Sequence, residues 1–110
     1  IKAIKRFVNP KVKECYRNAT LFSHIYPEVK YVEGKMTCCR AFGIEHAWNK
    51  VGDKYVDITM ELVLDRDPTK EEYMALGEYD QETVVSICSE VGFYGSVYSI
   101  LYNKQNTEKQ

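Results

Sequence analysis

The chain has 110 residues, of which 45% are hydrophobic and 28% are charged, and its formal net charge is −1. This length is typical of one domain and this composition of a soluble globular protein, so extensive disorder is excluded. The balanced charge does not favour a nucleic-acid partner, and no apolar run approaches the roughly 20 residues that span a bilayer. We therefore expect one domain over residues 1–110, and the lack of a signal-peptide pattern predicts a cytoplasmic protein.

Four cysteines, Cys15, Cys38, Cys39 and Cys88, are present. Cys38 and Cys39 are adjacent, and neighbours in a strand point to opposite faces, so these two are not expected to pair with each other. The chain has no C-x-x-C motif, and the spacing of Cys38, Cys39 and His46 does not match a zinc motif. We predict four reduced thiols, no bound metal and no cofactor.

The amino-terminal third is predicted to be helical. Residues 1–8 are basic and amphipathic and suit a short helix, and Asn9-Pro10 is a typical helix start. The helix that follows is expected to end before Pro27 and to pack one apolar face on a sheet. The residues of that face are Val12, Cys15, Tyr16, Ala19, Phe22 and Tyr26.

A meander of about four antiparallel strands is predicted next. The strand signals cover residues 29–33, 36–42 and 44–51, and a fourth lies within 55–64. Between the last two, Gly52-Asp53 suits a tight hairpin turn.

Further helices are predicted in the carboxyl-terminal half. Asp67-Pro68-Thr69 resembles a helix start, with the helix ending by Gly77, and Asp80 begins another that ends at Gly92. Periodicity leaves residues 96–102 open between strand and helix, and residues 103–110 are expected to form a flexible polar tail. The order helix, strands, helices predicts an α+β domain.

The hairpin register brings two ionisable residues together. If Gly52-Asp53 is a two-residue turn, Trp48 lies opposite Asp57, and His46 lies opposite Thr59. His46 and Asp57 are then diagonal neighbours on one face, about 7–8 Å apart at the backbone, which a histidine–carboxylate hydrogen bond can span. A three-residue loop would instead separate them onto opposite faces.

A helix packed on that same face would bring the thiol of Cys15 to the imidazole of His46. The three residues would form a nucleophile, a base and an orienting carboxylate. A free thiol is mostly protonated at neutral pH, and a neighbouring imidazole can take its proton. Asp57 would hold the ring in one tautomer and stabilise the imidazolium.

A series of short motifs carries these residues in a particular order. The series runs Glu14-Cys15-Tyr16-Arg17-Asn18-Ala19, Tyr31-Val32-Glu33-Gly34, Ile44-Glu45-His46-Ala47-Trp48-Asn49 and Tyr55-Val56-Asp57-Ile58-Thr59. It resembles the transglutaminase-like branch of the papain-like cysteine hydrolase superfamily, especially small bacterial and phage proteins. The resemblance covers residues 14–59, about half of the chain.

This resemblance implies an α+β papain-like core and thiol acyl transfer or amide hydrolysis on a protein or peptide substrate. By that analogy Cys15 is the nucleophile, His46 the base and Asp57 the orienting residue. In the family the cysteine is the first residue of its helix, whereas Asn9-Pro10 predicts an earlier start here. Tyr31 and Trp48 are candidates to flank a substrate cleft, with core packing as the alternative.

Two functions follow from these residues. The first is a cysteine-dependent amide hydrolase or acyltransferase that uses a Cys15–His46–Asp57 triad. The second is a non-catalytic protein-binding or host-inhibitory module on the same fold, with a degenerate triad. The second hypothesis rests on the small size of the domain and on its nine tyrosines, which suit protein contacts.

Overall fold

A computed structural model describes residues 4–11, 13–38 and 41–108. It shows the predicted α+β class, with an amino-terminal helix packed on a four-stranded antiparallel sheet and with two helices after it. The helices are α1 Cys15–Ile25, α2 Gln81–Val91 and α3 Val97–Glu108, and the strands are β1 Val29–Cys38, β2 Ala41–Val51, β3 Lys54–Val56 and β4 Tyr73–Tyr79. Short helical turns occupy Ile4–Val8, Thr59–Val63 and Pro68–Lys70. Predictions made for residues 1–3, Val12 and Cys39 lie outside the described residues.

The sheet has the strand order β3-β2-β1-β4. β2 and β3 form the predicted hairpin, in which Gly52-Asp53 is a two-residue turn and Val51 pairs with Lys54. Gly52 adopts a φ of 61°, a left-handed conformation that tight hairpin turns require and that glycine adopts without strain. The predicted register is confirmed over the three pairs of this ladder, but β3 ends at Val56, so Asp57 follows the strand and does not pair within it.

The three strands predicted over 29–33, 36–42 and 44–51 are two strands in the structure, since β1 takes in the first and the start of the second, and β2 begins at Ala41. Residue Gly34 lies inside β1, at a register shift in the ladder between β1 and β4. A Cβ atom at this position would lie 2.0 Å from the carbonyl oxygen of Met74. Gly34 thus permits a close approach between two backbones at a bulge and does not end the strand.

The helix predicted from Asp67 is wrong. The local capping signal is present, since the Asp67 carboxylate accepts a hydrogen bond from the Thr69 N–H at 3.0 Å, but the helical turn ends at Lys70. The residues that follow form β4, which pairs with β1 from Tyr31↔Tyr79 to Met36↔Tyr73. The unpaired edge of β1 supplies backbone partners to this segment, and that long-range pairing overrides the local helix signal.

The prediction for α2 is confirmed at both ends. The Asp80 carboxylate accepts a hydrogen bond from the Thr83 N–H at 2.9 Å, and Gly92 ends the helix in a left-handed conformation. Of residues 96–102, left open by periodicity, all but the first belong to α3, which begins at Val97 and continues to Glu108 through residues predicted to form a polar tail.

Two buried clusters join these elements. One lies between the three helices and the sheet, and the other joins α1 to the amino-terminal turn and to the segment after β3. The first contains Ala19, Tyr31, Ala47, Val84, Ile87 and Val97, and the second contains Val8, Phe22, Val29 and Ile58. Among the described residues, no helix has both the length and the apolar character needed to cross a membrane.

Candidate active site

Cys15 is the first residue of α1. The helix start predicted at Asn9-Pro10 is therefore wrong. Asn9 and Lys13 have positive φ angles of 48° and 62°, so the backbone turns twice before the helix begins and a continuous helix cannot form. The structure places the thiol at the helix amino-terminus, where the helix dipole favours negative charge.

The side chain of Asn18 holds the segment before α1 in place. Its Oδ1 accepts a hydrogen bond from the Lys11 N–H at 3.0 Å, and its Nδ2 donates to the Lys11 carbonyl at 2.9 Å. Nδ2 also donates to the Thr59 hydroxyl at 2.9 Å, which connects α1 to the segment after β3. Because Asn18 is completely buried, these bonds form away from water and bring the start of α1 close to the loop that carries Asp57.

His46 and Asp57 form the pair that the hairpin register predicts. The distance from His46 Nε2 to Asp57 Oδ2 is 2.7 Å, and the carboxylate is only 1% exposed. The same oxygen accepts a hydrogen bond from the Tyr73 hydroxyl at 2.7 Å, and Oδ1 accepts one from the Met60 N–H at 3.1 Å. Asp57 is thus held by three donors from three separate parts of the chain.

Cys15 lies close enough to His46 for the two side chains to interact, and this interaction favours the charged imidazole. Because Nε2 is engaged with Asp57, the other ring nitrogen, Nδ1, is the one that remains for the thiol. The structure therefore brings together Cys15, His46 and Asp57, in the order sulfur, imidazole, carboxylate. This order is the one that a thiol nucleophile, its base and an orienting group require.

Burial and charge have opposite effects on His46. Burial lowers the pKa of the imidazole, but the hydrogen bonds to Asp57 and Cys15 and the charges of those groups outweigh burial and raise the pKa to about 9. His46 is therefore mostly an imidazolium at neutral pH. Cys15 and Asp57 both favour that cation.

The route by which Cys15 reaches His46 differs from the sequence expectation. Ala19 of α1 packs with Ala47 of β2, and Ala47 and His46 are consecutive residues that point to opposite faces of the sheet. Helix α1 therefore packs on the face opposite His46. Cys15 packs against the same cluster as Ala19, and its place at the start of α1 brings it near His46.

Tyr31 and Trp48 are both buried, with 0% and 1% of their surfaces exposed. Tyr31 lies in the cluster beneath the helices, and its hydroxyl donates to Glu33 at 2.5 Å. Trp48 stacks beside His46 at 6.1 Å between ring centroids and contacts Tyr55 and Tyr73 edge to face. In this structure both rings pack in the interior of the domain, next to the site.

Two cavities lie near these residues. One of about 280 Å³ is lined by Tyr55, Asp57, Pro68, Thr69, Glu71 and Tyr73. A second of about 90 Å³ is lined by residues next to Cys15 and His46 in sequence, among them Tyr16, Glu33, Glu45 and Ser96. Burial, followed by the charge of Glu33, raises the pKa of Tyr16 to about 12, so its hydroxyl stays neutral beside the second cavity. The first cavity is lined by Asp57 itself, and the second by sequence neighbours of Cys15 and His46.

Two residues of the site, Asn18 and Tyr73, were not predicted from the sequence to belong to it. Tyr73 lay in a segment predicted to be helical, so its place opposite Asp57 could not be foreseen. Asn18 is part of the Cys15 motif, but a single polar residue on a helix does not indicate what it binds. Comparisons with protein-family profiles, curated proteins and solved structures find no match to this chain.

Proposed function

We propose that this protein is a cysteine-dependent amide hydrolase or acyltransferase with Cys15 as nucleophile, His46 as base and Asp57 as orienting residue. The observation that carries the proposal is the placement of Cys15 at the start of α1, near an imidazole that binds a buried carboxylate at 2.7 Å. A thiol, an imidazole and a carboxylate arranged in this way are typical of thiol acyl-transfer enzymes.

The reaction has two steps. The Cys15 sulfur attacks the carbonyl carbon of an amide, a carbon–sulfur bond forms, and the carbon–nitrogen bond breaks as the His46 imidazolium gives its proton to the departing amine. Water or a second amine then attacks the thioester while His46 takes its proton, and the acyl group leaves Cys15 as a thiolate beside the imidazolium. Water gives hydrolysis, and an amine gives acyl transfer.

The helix start contributes to both steps. The first N–H groups of an α-helix have no partner within the helix, so the Cys15 N–H can donate to the oxyanion that develops on the substrate carbonyl. The three donors on Asp57 keep its carboxylate fixed, and Asp57 in turn keeps the His46 ring in the tautomer that presents Nδ1 to the thiol.

This proposal extends to the papain-like, transglutaminase-like fold that the motif series resembles. It includes a protein or peptide substrate and a cytoplasmic bacterial or phage setting. The early position of the cysteine helix and the order cysteine, histidine, aspartate along the chain support it. No metal or cofactor takes part in the chemistry that we propose.

The test is the rate at which iodoacetamide alkylates each cysteine at mildly acidic pH, mapped by mass spectrometry. We expect Cys15 to react at least about tenfold faster than Cys88, because a thiolate paired with an imidazolium is nucleophilic below neutral pH. Cys88 is a matched reference within the chain, since it is also a partly buried free thiol and burial raises its pKa.

The His46→Ala variant should lose the fast reaction of Cys15 and leave the rate of Cys88 unchanged. Slow labelling of Cys15 that His46→Ala does not alter, in a folded protein, would contradict the proposal. Where Cys15 is reactive, ammonia release from glutamine peptides, with and without an added primary amine, separates hydrolysis from acyl transfer.

A second candidate function is protein binding without catalysis. It is favoured by a group of exposed aromatic side chains at the end of α2 and on α3, where Tyr98 and Tyr102 stack at 6.5 Å. Exposed aromatic residues are enriched at protein interfaces. The members of this group are Phe93, Tyr94, Tyr98 and Tyr102.

A further inference from the structure

Tyr73 reaches the triad from the far side of the sheet. It begins β4, which is one edge of the sheet, whereas Asp57 follows β3, which is the other edge. The Tyr73 hydroxyl nevertheless donates to Asp57 Oδ2 at 2.7 Å, the same oxygen that His46 Nε2 contacts at 2.7 Å. One carboxylate oxygen is therefore shared between the histidine and the tyrosine.

The ring of Tyr73 has little freedom to move away from this contact. Trp48 packs against it edge to face, with 4.9 Å between centroids and 78° between planes. Trp48 is 1% exposed and stacks beside His46, so its own position is set by the core. The ring of Tyr73 and the ring of His46 are thus both placed by the same buried indole.

We propose that Tyr73 is a positioning residue of the triad, whose hydroxyl holds the Asp57 carboxylate in the orientation that engages His46. Without this donor, Oδ1 is still held by the Met60 N–H, but Oδ2 is held only by the histidine that it has to orient. The carboxylate can then rotate about its last side-chain bond, and the hydrogen bond to Nε2 loses its fixed geometry. Tyr73 acts through Asp57 and does not touch the reacting atoms.

The role in catalysis rests on the proposed function, but the effect on His46 can be measured without a substrate. The chain contains only two histidines, His24 and His46, so the imidazole signals in an NMR titration are assigned with a His24→Gln variant. Asp57 and Cys15 are the titratable groups that raise the pKa of His46. A weaker contact with Asp57 lowers it.

The variant to compare with the natural chain is Tyr73→Phe, with Tyr55→Phe as the matched control, since Tyr55 packs on the same indole and lines the same cavity. We expect Tyr73→Phe to lower the midpoint of the His46 titration by about 1 pH unit and Tyr55→Phe to leave it in place. Tyr73→Phe should also slow alkylation of Cys15 by about threefold or more.

An unchanged or raised His46 midpoint in folded Tyr73→Phe, or an equal shift in Tyr55→Phe, would overturn the positioning role, since a rise is what the loss of a donor that competes for Asp57 Oδ2 would give. A lower melting temperature with the titration unchanged would show a purely structural hydroxyl and also overturn it. If Tyr73→Phe does not fold, 4-fluorophenylalanine in place of Tyr73 fills the same space without a donor and takes the same test. If Cys15 is unreactive in the natural chain, the proposed function fails, while the titration still decides what Tyr73 does to His46.

Discussion

His46 is the residue at which the competition between burial and charge is clearest. It is only 8% exposed, and burial of an imidazole favours its neutral form. A carboxylate at 2.7 Å on one ring nitrogen and a thiol at the other reverse that preference, and the pKa rises to about 9. His46 therefore carries the proton that the proposed reaction would transfer to the leaving amine.

This shift predicts how stability depends on pH. The pKa of His46 is higher in the folded chain than the ordinary 6.5 of an unfolded one. The stabilisation is fully present below pH 6.5 and is lost as the pH rises towards about 9. We expect the free energy of unfolding of the natural chain, relative to His46→Gln, to fall by about 2–3 kcal/mol between mildly acidic and strongly basic pH.

Urea titrations of both proteins across this pH range measure the difference. His24→Gln is the control, because burial lowers the pKa of His24 and removing it should not reproduce the loss at basic pH. A difference between the natural chain and His46→Gln that stays constant with pH would show that folding does not change the pKa of His46, and one that rises with pH would show that folding lowers it.

At the scale of secondary-structure elements, the decisive feature is where α1 begins. A helix that started at Asn9-Pro10 would place Cys15 in mid-helix. There its backbone N–H would be bonded within the helix, and the helix dipole would not stabilise negative charge on the thiol. Two left-handed residues and the side chain of Asn18 stop the helix from extending backwards past Cys15. The same side chain bonds Thr59, so the start of the helix and the loop of Asp57 are fixed together.

The Asn18→Ala variant tests this connection. Truncation leaves the Lys11 backbone groups and the Thr59 hydroxyl without their partner, and an unsatisfied buried polar group costs about 1–3 kcal/mol. We expect Asn18→Ala to lower the free energy of unfolding by about 2–4 kcal/mol. It should also slow Cys15 alkylation, because the thiol loses its fixed distance from His46.

Chemical denaturation and alkylation of the same samples provide the two readouts. Ser86→Ala, at an exposed polar position on α2, is the control and should change stability by less than about 0.5 kcal/mol. If Asn18→Ala matched that control, the start of α1 would be set by other contacts.

At the scale of the whole molecule, Glu33 connects the sheet to the last helix. This carboxylate is 4% exposed and accepts hydrogen bonds from the Ser96 hydroxyl at 2.5 Å and from the Val97 and Tyr98 N–H groups at the start of α3. A strand residue thus caps a helix more than sixty positions away, and α3 closes the cluster that α1 and α2 form on the sheet.

We predict that Glu33→Ala releases α3 from the sheet. The loss of a buried cap and of the helix-terminal partners should reduce the free energy of unfolding by about 2–4 kcal/mol. Hydrogen exchange of the α3 amides should accelerate more than that of β1 and β2. Glu45→Ala, an exposed carboxylate on β2, is the control, and equal exchange of α3 in the two variants would show that Glu33 does not hold the helix.

How much was predictable from the sequence depends on the range of the interaction concerned. The Gly52-Asp53 turn, the hairpin register that places His46 beside Asp57, and both ends of α2 follow from the chemistry of neighbouring residues, and the structure confirms them. The α+β class and the antiparallel arrangement of β1, β2 and β3 follow from the order of such local signals, whereas β4 lies in a segment predicted to be helical. Turn conformation and capping hydrogen bonds act over a few residues, so a sequence displays them directly.

The tertiary structure alone decided the rest. Residues 73–79 became a strand because the edge of β1 offered backbone partners that outweigh a capped turn at Asp67. Cys15 became the first residue of α1 because the buried Asn18 side chain bonds Lys11 and Thr59, and Tyr73 reached Asp57 across the sheet because Trp48 fills the space beside it. Each of these features depends on contacts between residues that are distant in sequence, and such contacts stabilise the chain only when it has folded.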